Sequence, residues 1–147
     1  MKKNKIIIIG KKGFVAKNLF QNLAEKNLVK KFSFLSFNKL NISEIIKYDT
    51  IINCTINKKY VEKSYSEKND LDYKIVNKIK KTKIKYIFLS TRKVYEIGEN
   101  IKETSKLNPK DNYSKNKLIT EKKIFKILKE RLLILRITNL IGIKNSS

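Results

Sequence analysis

Four consecutive isoleucines at residues 6–9, ended by Gly10, constrain the fold more than any other feature of this sequence. A continuous β-branched run of this kind is typical of a strand that is covered on both faces in a parallel sheet. Beyond the following turn, apolar residues recur at helical spacing, at Ala16, Leu19, Phe20, Leu23 and Ala24. Because this spacing puts them on one stripe of a helix, the segment predicts a strand, a turn and an amphipathic helix.

The same alternation continues along the chain. Short apolar runs follow at residues 32–37, 50–53, 84–89 and 132–137, separated by helical or mixed polar segments. The longest later helices are predicted at residues 66–81 and 111–131, the second introduced by Pro109 and capped by Asp111 or Asn112. This pattern predicts one α/β domain, residues 1–147, with a doubly wound parallel sheet of strand order 3-2-1-4-5. The longest loop is predicted at residues 91–110.

The chain is strongly basic. It carries 35 basic and 13 acidic residues, which give a formal net charge of +22. Such a charge is common in proteins with an anionic partner such as nucleic acid. However, thirty-two of the basic residues are lysines, and they are spread along every segment instead of forming one block. Solvated faces are therefore the favoured interpretation, and nucleic-acid binding is the alternative.

The composition excludes several kinds of chemistry. With no histidine, the chain has no His base, no Ser-His-Asp triad and no His-ligated metal. A single cysteine, Cys54, allows neither an internal disulfide nor a cysteine-rich zinc site, so we expect no metal and a reducing, cytoplasmic environment. The apolar run at residues 6–9 is shorter than the roughly 7 to 15 residues of a signal peptide and the roughly 20 of a membrane span, so no membrane association is expected.

The turn after the first strand has the spacing of a phosphate-binding loop. Gly10 and Gly13 are two of only four glycines in the chain, and Ala16 follows at the same interval. The first glycine would allow the tight turn, the second would let a pyrophosphate approach the backbone, and the small third residue would let the helix pack closely. Backbone N–H groups at the helix start would then face the phosphates. A dinucleotide is the predicted ligand, and a plain β-to-α turn is the alternative. The predicted loop consists of Gly10, Lys11, Lys12, Gly13, Phe14 and Val15.

Tyr113 and Lys117 lie four residues apart, which makes them neighbours on one helical face. The pair alone means little, because the chain holds seven tyrosines and many lysines. Its context is more informative. Thr91 ends the apolar run that begins at Ile84 and so places a hydroxyl at the carboxyl edge of the sheet, where α/β folds bind ligands. A surface Tyr/Lys pair and a strand-capping threonine are the alternative interpretation.

Five motifs in order carry a resemblance to a known family. They are Gly10-x-x-Gly13-x-x-Ala16, residues 51–55, residues 90–95, Tyr113-x-x-x-Lys117-Leu118-x-x-Glu121 and residues 135–142. Together they resemble the extended short-chain dehydrogenase/reductase superfamily, in its NAD-dependent epimerase/dehydratase group. Residues 40–43, Leu-Asn-Ile-Ser, look like the element beside the adenine in the dTDP-4-dehydrorhamnose reductase branch. The resemblance implies a Rossmann fold.

The resemblance also implies an activity and residue roles. The enzyme would move a hydride between a nicotinamide and a carbon of a nucleotide-linked sugar, in reduction, epimerisation or dehydration, most like the reduction of a 4-keto-6-deoxysugar nucleotide. Tyr113 would be the general acid/base, and Thr91 would orient the substrate oxygen. A free tyrosine titrates near 10, so acid/base work near neutral pH needs a pKa lowered by about three units, and the ammonium of Lys117 would supply the nearest stabilising charge. Lys117 would also bind the nicotinamide ribose. A catalytically silent dinucleotide-binding or sensor protein of the same fold is the alternative.

The implied cofactor contacts reach beyond the loop. They include Asn38, Lys39, Asn41, Ile42, Cys54 and Thr55, together with Tyr113 and Lys117. NAD-binding proteins of this kind usually carry an acidic residue at the end of the second strand for the ribose 2′-hydroxyl, and residues 37–39 offer none. Lys11, Lys12 and Lys39 suit a 2′-phosphate instead. The expected cofactor is NADP or NAD, with NADP favoured.

Three further expectations follow. Members of the family continue well beyond the position of Gly142 into a region that holds the nucleotide-sugar, so we expect the cofactor-binding part of a longer enzyme or a truncated reading frame. Many relatives pair through the helices that match residues 66–81 and 111–131, which predicts a homodimer. Arg136 interrupts the last apolar strand and predicts an ion pair whose acidic partner the sequence does not identify.

Overall fold

The isoleucine run forms most of strand β1 (Lys5–Ile9) in the computed structural model, which describes residues 2–139. Four more strands follow, namely β2 (Leu28–Phe32), β3 (Thr50–Asn53), β4 (Lys85–Thr91) and β5 (Leu132–Ile137). Within this part of the chain all paired strands run parallel, in a five-stranded sheet. The predicted α/β fold with a parallel sheet is confirmed.

The predicted strand order 3-2-1-4-5 is wrong. The observed order is β2-β1-β3-β4-β5, so β1 lies between β2 and β3. The prediction placed β3 beyond β2, but the chain returns from β2 and pairs β3 with the other side of β1. The connections on the two sides of β1 therefore run in opposite directions. This makes the boundary between β1 and β3 the topological switch point, where doubly wound sheets bind ligands.

Strand β2 lies earlier than predicted. The sequence predicts a strand over residues 32–37, but β2 ends at Phe32 and helix α2 (Phe34–Lys39) follows. Ser33 explains the change, because its hydroxyl oxygen accepts a hydrogen bond from the backbone N–H of Ser36 at 3.1 Å and so caps the helix. Phe37 lies in this helix, and its side chain is buried. The apolar run is therefore divided between the end of a strand and a short helix.

The two predicted long helices are present but shorter. The segment at residues 66–81 contains a 3₁₀ turn (Glu67–Asn69) and helix α5 (Leu71–Ile79). The segment at residues 111–131 contains helix α6 (Asn112–Leu128), capped by Asp111, and a 3₁₀ turn. Helices α5 and α6 pack against each other within the chain, and the homodimer through them stays a prediction. The other α-helices of residues 2–139 are α1 (Phe14–Ala24), α3 (Ile42–Ile45) and α4 (Lys58–Glu62).

Two apolar cores lie on opposite faces of the sheet, and the alternate isoleucines of β1 divide between them. Ile7 and Ile9 pack in the core that includes side chains of α5 and α6, whereas Ile6 and Ile8 pack with Ala16 of α1. All of these side chains are buried. The central strand is therefore covered on both faces, as its continuous apolar run predicts.

On the face of the sheet that α1 covers, the α1 core does not reach as far as β5, the last strand of the sheet. Leu133 and Leu135 of β5 pair in register with Ile87 and Leu89 of β4, which border the α1 core. The exposed fractions of the two leucines are 52% and 41%. Residues 2–139 therefore leave an apolar surface on this side of β4 and β5, which we call the bare sheet face.

The predicted loop at residues 91–110 contains a 3₁₀ turn (Arg92–Val94) and a bridge between Tyr95 and Leu107. The last residues of the fifth predicted motif, 140–142, lie outside the described residues. None of the helices in residues 2–139 combines the length and the apolar character that crossing a bilayer requires.

Candidate active site at the carboxyl edge of the sheet

A cleft of about 570 Å³ opens at the carboxyl edge of the sheet. Six residues that the sequence singles out line it, namely Val15, Cys54, Thr55, Thr91, Tyr113 and Lys117. They come from the start of α1, the turn after β3, the end of β4 and the first turns of α6. Thr138 and Asn139, which follow β5, also line the cleft. They belong to the fifth predicted motif, but nothing in that motif identified them as site residues.

Gly10 holds the turn after β1 in a conformation that other residues rarely adopt. Its φ is +128°, and a Cβ on this residue would lie 3.3 Å from the Cβ of Ala16 and 3.4 Å from that of Cys54. The N–H of Gly10 donates a hydrogen bond to the carbonyl oxygen of Phe32 at 2.6 Å. The turn therefore needs glycine at this position, and the small Ala16 lets α1 lie against it.

Gly13 has a different environment, because it faces open space at the start of α1. Its φ of −67° and ψ of 149° suit any residue, and no atom lies within 4 Å of the place its Cβ would occupy. No side chain caps α1, and its first turn contains no acidic residue. The free N–H groups and the positive end of the helix dipole therefore have room for an anion beside them. Lys11 and Lys12 are exposed next to this position.

The same substitution is expected to have a large effect at Gly10 and almost none at Gly13. Replacing Gly10 by Ala is expected to lower the free energy of unfolding by about 1–3 kcal/mol, because the residue is strained and crowded. The matched change Gly13→Ala is expected to stay within about 0.5 kcal/mol of the parent. Urea denaturation followed by circular dichroism measures both. Equal losses in the two variants would contradict this account of the turn.

Lys117 is buried in the wall of the cleft. Its Nζ donates a hydrogen bond to the carbonyl oxygen of Leu89 at 2.8 Å and lies 4.6 Å from the ring centroid of Phe88 and 5.8 Å from that of Tyr113. Burial lowers the pKa of Lys117, and the carboxylate of Asp72 is the strongest of the charges that oppose this change. Because the ammonium has three N–H donors, it keeps donors beyond the one used by Leu89.

Tyr113 does not have the lowered pKa that the sequence analysis expected. Its pKa is raised, first by burial and then by the negative charges of Asp72 and Asp111. The ammonium of Lys117 is directed at the carbonyl of Leu89. The expectation considered only the nearest lysine and left out the burial of the phenol and the carboxylates of Asp111, two residues before it, and Asp72, which is distant in sequence. Tyr113 is therefore held in the protonated form, which is the form that donates a proton.

The two hydroxyls at the end of β4 have different surroundings. Thr91 lines the cleft, and its Oγ1 accepts a hydrogen bond from the backbone N–H of Lys93 at 3.2 Å. Ser90 also lines the cleft, but its Oγ is already used, because it donates to Oε1 of Glu121 at 2.5 Å. Thr91 therefore provides the hydroxyl that the sequence analysis predicted at this edge.

Glu121 is the acidic partner that the sequence left unidentified for Arg136. Nε and a terminal nitrogen of Arg136 donate to the two carboxylate oxygens of Glu121 at 3.1 and 2.7 Å. The other terminal nitrogen of Arg136 donates to the hydroxyl of Tyr95 at 2.6 Å. This bidentate pair ties α6 to β5 and to the loop after β4, directly behind Thr91.

A polar network that sequence reasoning missed lies under the turn after β3. Oδ1 of Asp72 accepts hydrogen bonds from Nδ2 of Asn53 at 3.0 Å and from the hydroxyl of Tyr86 at 2.6 Å. Oδ1 of Asn53 accepts from the backbone N–H and the hydroxyl of Thr55, at 2.9 and 2.6 Å. Asp72 lies in a segment predicted only as a helix, so no local signal identified it.

Nine predicted cofactor residues do not line the cleft, namely the loop residues Gly10, Lys11, Lys12, Gly13 and Phe14 and four residues after β2, Asn38, Lys39, Asn41 and Ile42. Asn38 and Lys39 lie in α2 and not at the end of β2, because that strand ends at Phe32. Asn41 caps α3, where its Oδ1 accepts from the backbone N–H of Glu44 at 2.9 Å, and Ile42 is exposed in the first turn of that helix. The end of β2 is followed by Ser33, Phe34 and Leu35, so this strand end also offers no carboxylate.

The sheet order, the glycine turn at the switch point and the polar cleft define a Rossmann-type α/β domain. The chain belongs to the family described as RmlD substrate binding domain, whose model matches residues 4–147. The resemblance inferred from the five motifs is thereby confirmed. No individually curated protein matches the chain.

Solved structures share the fold. The dTDP-4-dehydrorhamnose reductase of Bacillus anthracis in complex with NADP superposes with a TM-score of 0.74 at 21% identity, over 99% of this chain and 57% of that one. The reductase of the same name from Clostridium acetobutylicum gives 0.64 at 26% identity, over 90% and 52%. The UDP-N-acetylglucosamine 4-epimerase of Methanobrevibacter ruminantium gives 0.70 at 20% identity, over 92% and 55%. The chain therefore spans a little over half the length of these structures.

Proposed function

We propose that the chain is the cofactor-binding part of an NAD(P)-dependent enzyme that reduces a sugar linked to a nucleotide. The observation that carries the proposal is the shared cleft of Thr91, Tyr113 and Lys117, which also contains Val15 of the glycine turn. A phenol, an ammonium and a hydroxyl at the carboxyl edge of a doubly wound sheet are suited to proton transfer beside a bound dinucleotide. The family match supports the same proposal.

The residues present fit a dinucleotide. Gly10 has the positive φ of the tight turn, and Gly13 leaves open space at the uncapped start of α1, where a pyrophosphate would be held by backbone N–H groups. Val15, Cys54 and Thr55 line the cleft beside this position. Lys117 retains N–H donors that would bind ribose hydroxyls. When bound here, the nicotinamide supplies the hydride.

The chain's own groups favour the direction of reduction. Because the raised pKa of Tyr113 keeps the phenol protonated, it is prepared to donate a proton to a carbonyl oxygen that is gaining negative charge. Thr91 would hydrogen-bond the same oxygen and orient the carbonyl. The reductases among the structural neighbours support a dTDP-linked 4-keto-6-deoxysugar as the substrate class.

A fluorescence titration of the purified chain with NADPH and NADH tests the proposal. Binding of at least one is expected at both low and moderate salt, with NADPH tighter because the end of β2 lacks a carboxylate. The variant Gly13→Ala tests the loop. It is expected to fold normally and to weaken binding by about tenfold or more, equivalent to about 1.4 kcal/mol. A folded chain that binds neither dinucleotide would refute the proposal. Unchanged binding by Gly13→Ala would refute the assignment of the loop.

A further inference from the structure

Asp72 is a buried carboxylate in the first turn of α5, with an exposed fraction of only 5%. Its neighbour Asp70 has a structural explanation, because it caps α5 and accepts hydrogen bonds from Tyr65 and Thr120. Asp72 caps nothing. Both hydrogen bonds that the structure gives it go to one oxygen, Oδ1. A carboxylate at this depth is costly unless nearby groups compensate its charge.

Through Asn53, Asp72 reaches the wall of the cleft. The amide nitrogen of Asn53 donates to Asp72, and this bond fixes the orientation of the side chain so that its oxygen faces Thr55. Thr55 lines the cleft beside Gly10, and a Cβ added to Gly10 would lie 3.6 Å from Cγ2 of Thr55. Asp72 is therefore connected to the cofactor turn by two successive hydrogen-bonded residues.

Asp72 also acts on Lys117. Burial raises the pKa of Asp72, and Lys117 is the strongest influence that lowers it again. Burial lowers the pKa of Lys117, and Asp72 acts more strongly against this change than Asp70 or Glu121 does. Among the described residues no direct ion pair joins the two groups, but both are bonded to β4, where Asp72 accepts from the hydroxyl of Tyr86 and Lys117 donates to the carbonyl oxygen of Leu89. Each charge makes the other less costly to bury.

We propose that Asp72 is a positioning residue of the candidate active site, whose carboxylate fixes the Asn53–Thr55 turn and provides the counter-charge for the buried ammonium of Lys117. Its importance for cofactor binding rests on the function proposed above, because only an ammonium offers three donors to ribose hydroxyls. A neutral amine in the same place would keep fewer donors for the ligand.

The direction of the pH dependence follows from the groups that surround the pair. Lys117 is influenced by Asp72, Asp70 and Glu121 and lies near the rings of Tyr60 and Tyr113. Asp72 interacts with Lys117, Asp70 and the hydroxyl of Tyr86, and its charge also acts on Cys54, Tyr60 and Tyr113. The folded pKa of Lys117 lies below the unfolded value of 10.5, so unfolded chains bind more protons in that interval and stability rises with pH across it. Above its own raised pKa, Asp72 is ionised and Lys117 has its counter-charge.

The test measures the titration of Lys117 directly, by NMR of the 147-residue chain containing lysine labelled with carbon-13 at Cε. The signal is assigned by its loss in Lys117→Arg. Asp72→Asn keeps an oxygen for both hydrogen bonds but removes the charge, and it is expected to lower the midpoint of Lys117 by about one pH unit or more. The matched control Tyr86→Phe removes a hydrogen bond to Asp72 but keeps its charge, and its midpoint is expected to stay near that of the parent.

Two results would overturn the proposal. An unchanged Lys117 midpoint in Asp72→Asn would remove the counter-charge role, and an equal decrease in Tyr86→Phe would show that packing alone is responsible. If Asp72→Asn does not fold, the titration of Lys117 in the parent chain tests the proposal instead. Its Lys117 signal must then show a second inflection at the pH where the Asp72 carboxyl carbon titrates, and a single inflection overturns the proposal. The measurement needs no cofactor, so a failure of the proposed function is detected separately by the dinucleotide titration.

Discussion

Replacing Tyr113 by Phe is expected to lower turnover in the enzyme that contains this domain by about 10²–10⁴-fold, the usual contribution of a positioned proton donor. Phe keeps the ring beside Lys117 and removes only the hydroxyl. Dinucleotide affinity is therefore expected to stay within about threefold of the parent, because the proposed cofactor contacts of Gly10, Gly13 and Lys117 are unaffected. Nicotinamide absorbance with a dTDP-linked 4-keto sugar measures turnover, and fluorescence titration measures affinity.

The chain contains a matched control for this change. Tyr48 lies just before β3, at the opposite edge of the sheet, so Tyr48→Phe removes a tyrosine hydroxyl far from the cleft. Its turnover is expected to match that of the parent. Because the raised pKa keeps Tyr113 protonated, reduction by the parent is expected to be independent of Tyr113 ionisation through neutral pH. Full turnover by Tyr113→Phe would show that another group donates the proton.

Replacing Glu121 by Ala is expected to lower the free energy of unfolding by about 3–5 kcal/mol, because it leaves the partly buried guanidinium of Arg136 without its carboxylate. The side chain of Glu121 is only 4% exposed and that of Arg136 is 22% exposed. Ser90 loses its acceptor in the same variant. Chemical denaturation measures the loss, which is large compared with the roughly 5–15 kcal/mol that usually stabilise a domain.

A surface ion pair on the same helix provides the comparison. Lys123 of α6 pairs with Glu67, whose side chain is 58% exposed. Glu67→Ala is expected to cost no more than about 1 kcal/mol, because water screens such a pair. If the two glutamate variants lose similar stability, the pair between Glu121 and Arg136 does not hold α6 against β5 in the way described above.

Local patterns predicted much of the fold and of the cleft. The isoleucine run, Gly10 and Ala16 are fixed by short-range geometry, because a strand, a left-handed turn and a close helix each restrict the residues that fit. The proximity of Tyr113 and Lys117 could be predicted because residues one helical turn apart are neighbours on the same face. Their position beside Thr91 followed from the carboxyl ends of parallel strands meeting at one edge of the sheet.

The predictions that were wrong concern features that the apolar pattern and the nearest charged residue do not determine. The run at residues 32–37 is apolar enough for a strand, but Ser33 caps a helix within it. The predicted strand order failed because nothing local tells on which side of β1 the next strand will pair. The pKa of Tyr113 was expected to fall because Lys117 is close in sequence, whereas burial of the phenol in the folded chain raises it, and Asp72 and Asp111 raise it further.

The bare sheet face gives the large positive charge a physical consequence. Leu133 and Leu135 present an apolar surface on which another copy of the chain can stack, while a net charge of +22 makes two copies repel each other. The repulsion is long-ranged in dilute buffer, but it is screened beyond about 10 Å at 0.1 M salt, whereas apolar contact is not weakened by salt. We therefore expect contact between copies through this face of residues 2–139 to increase as the ionic strength rises.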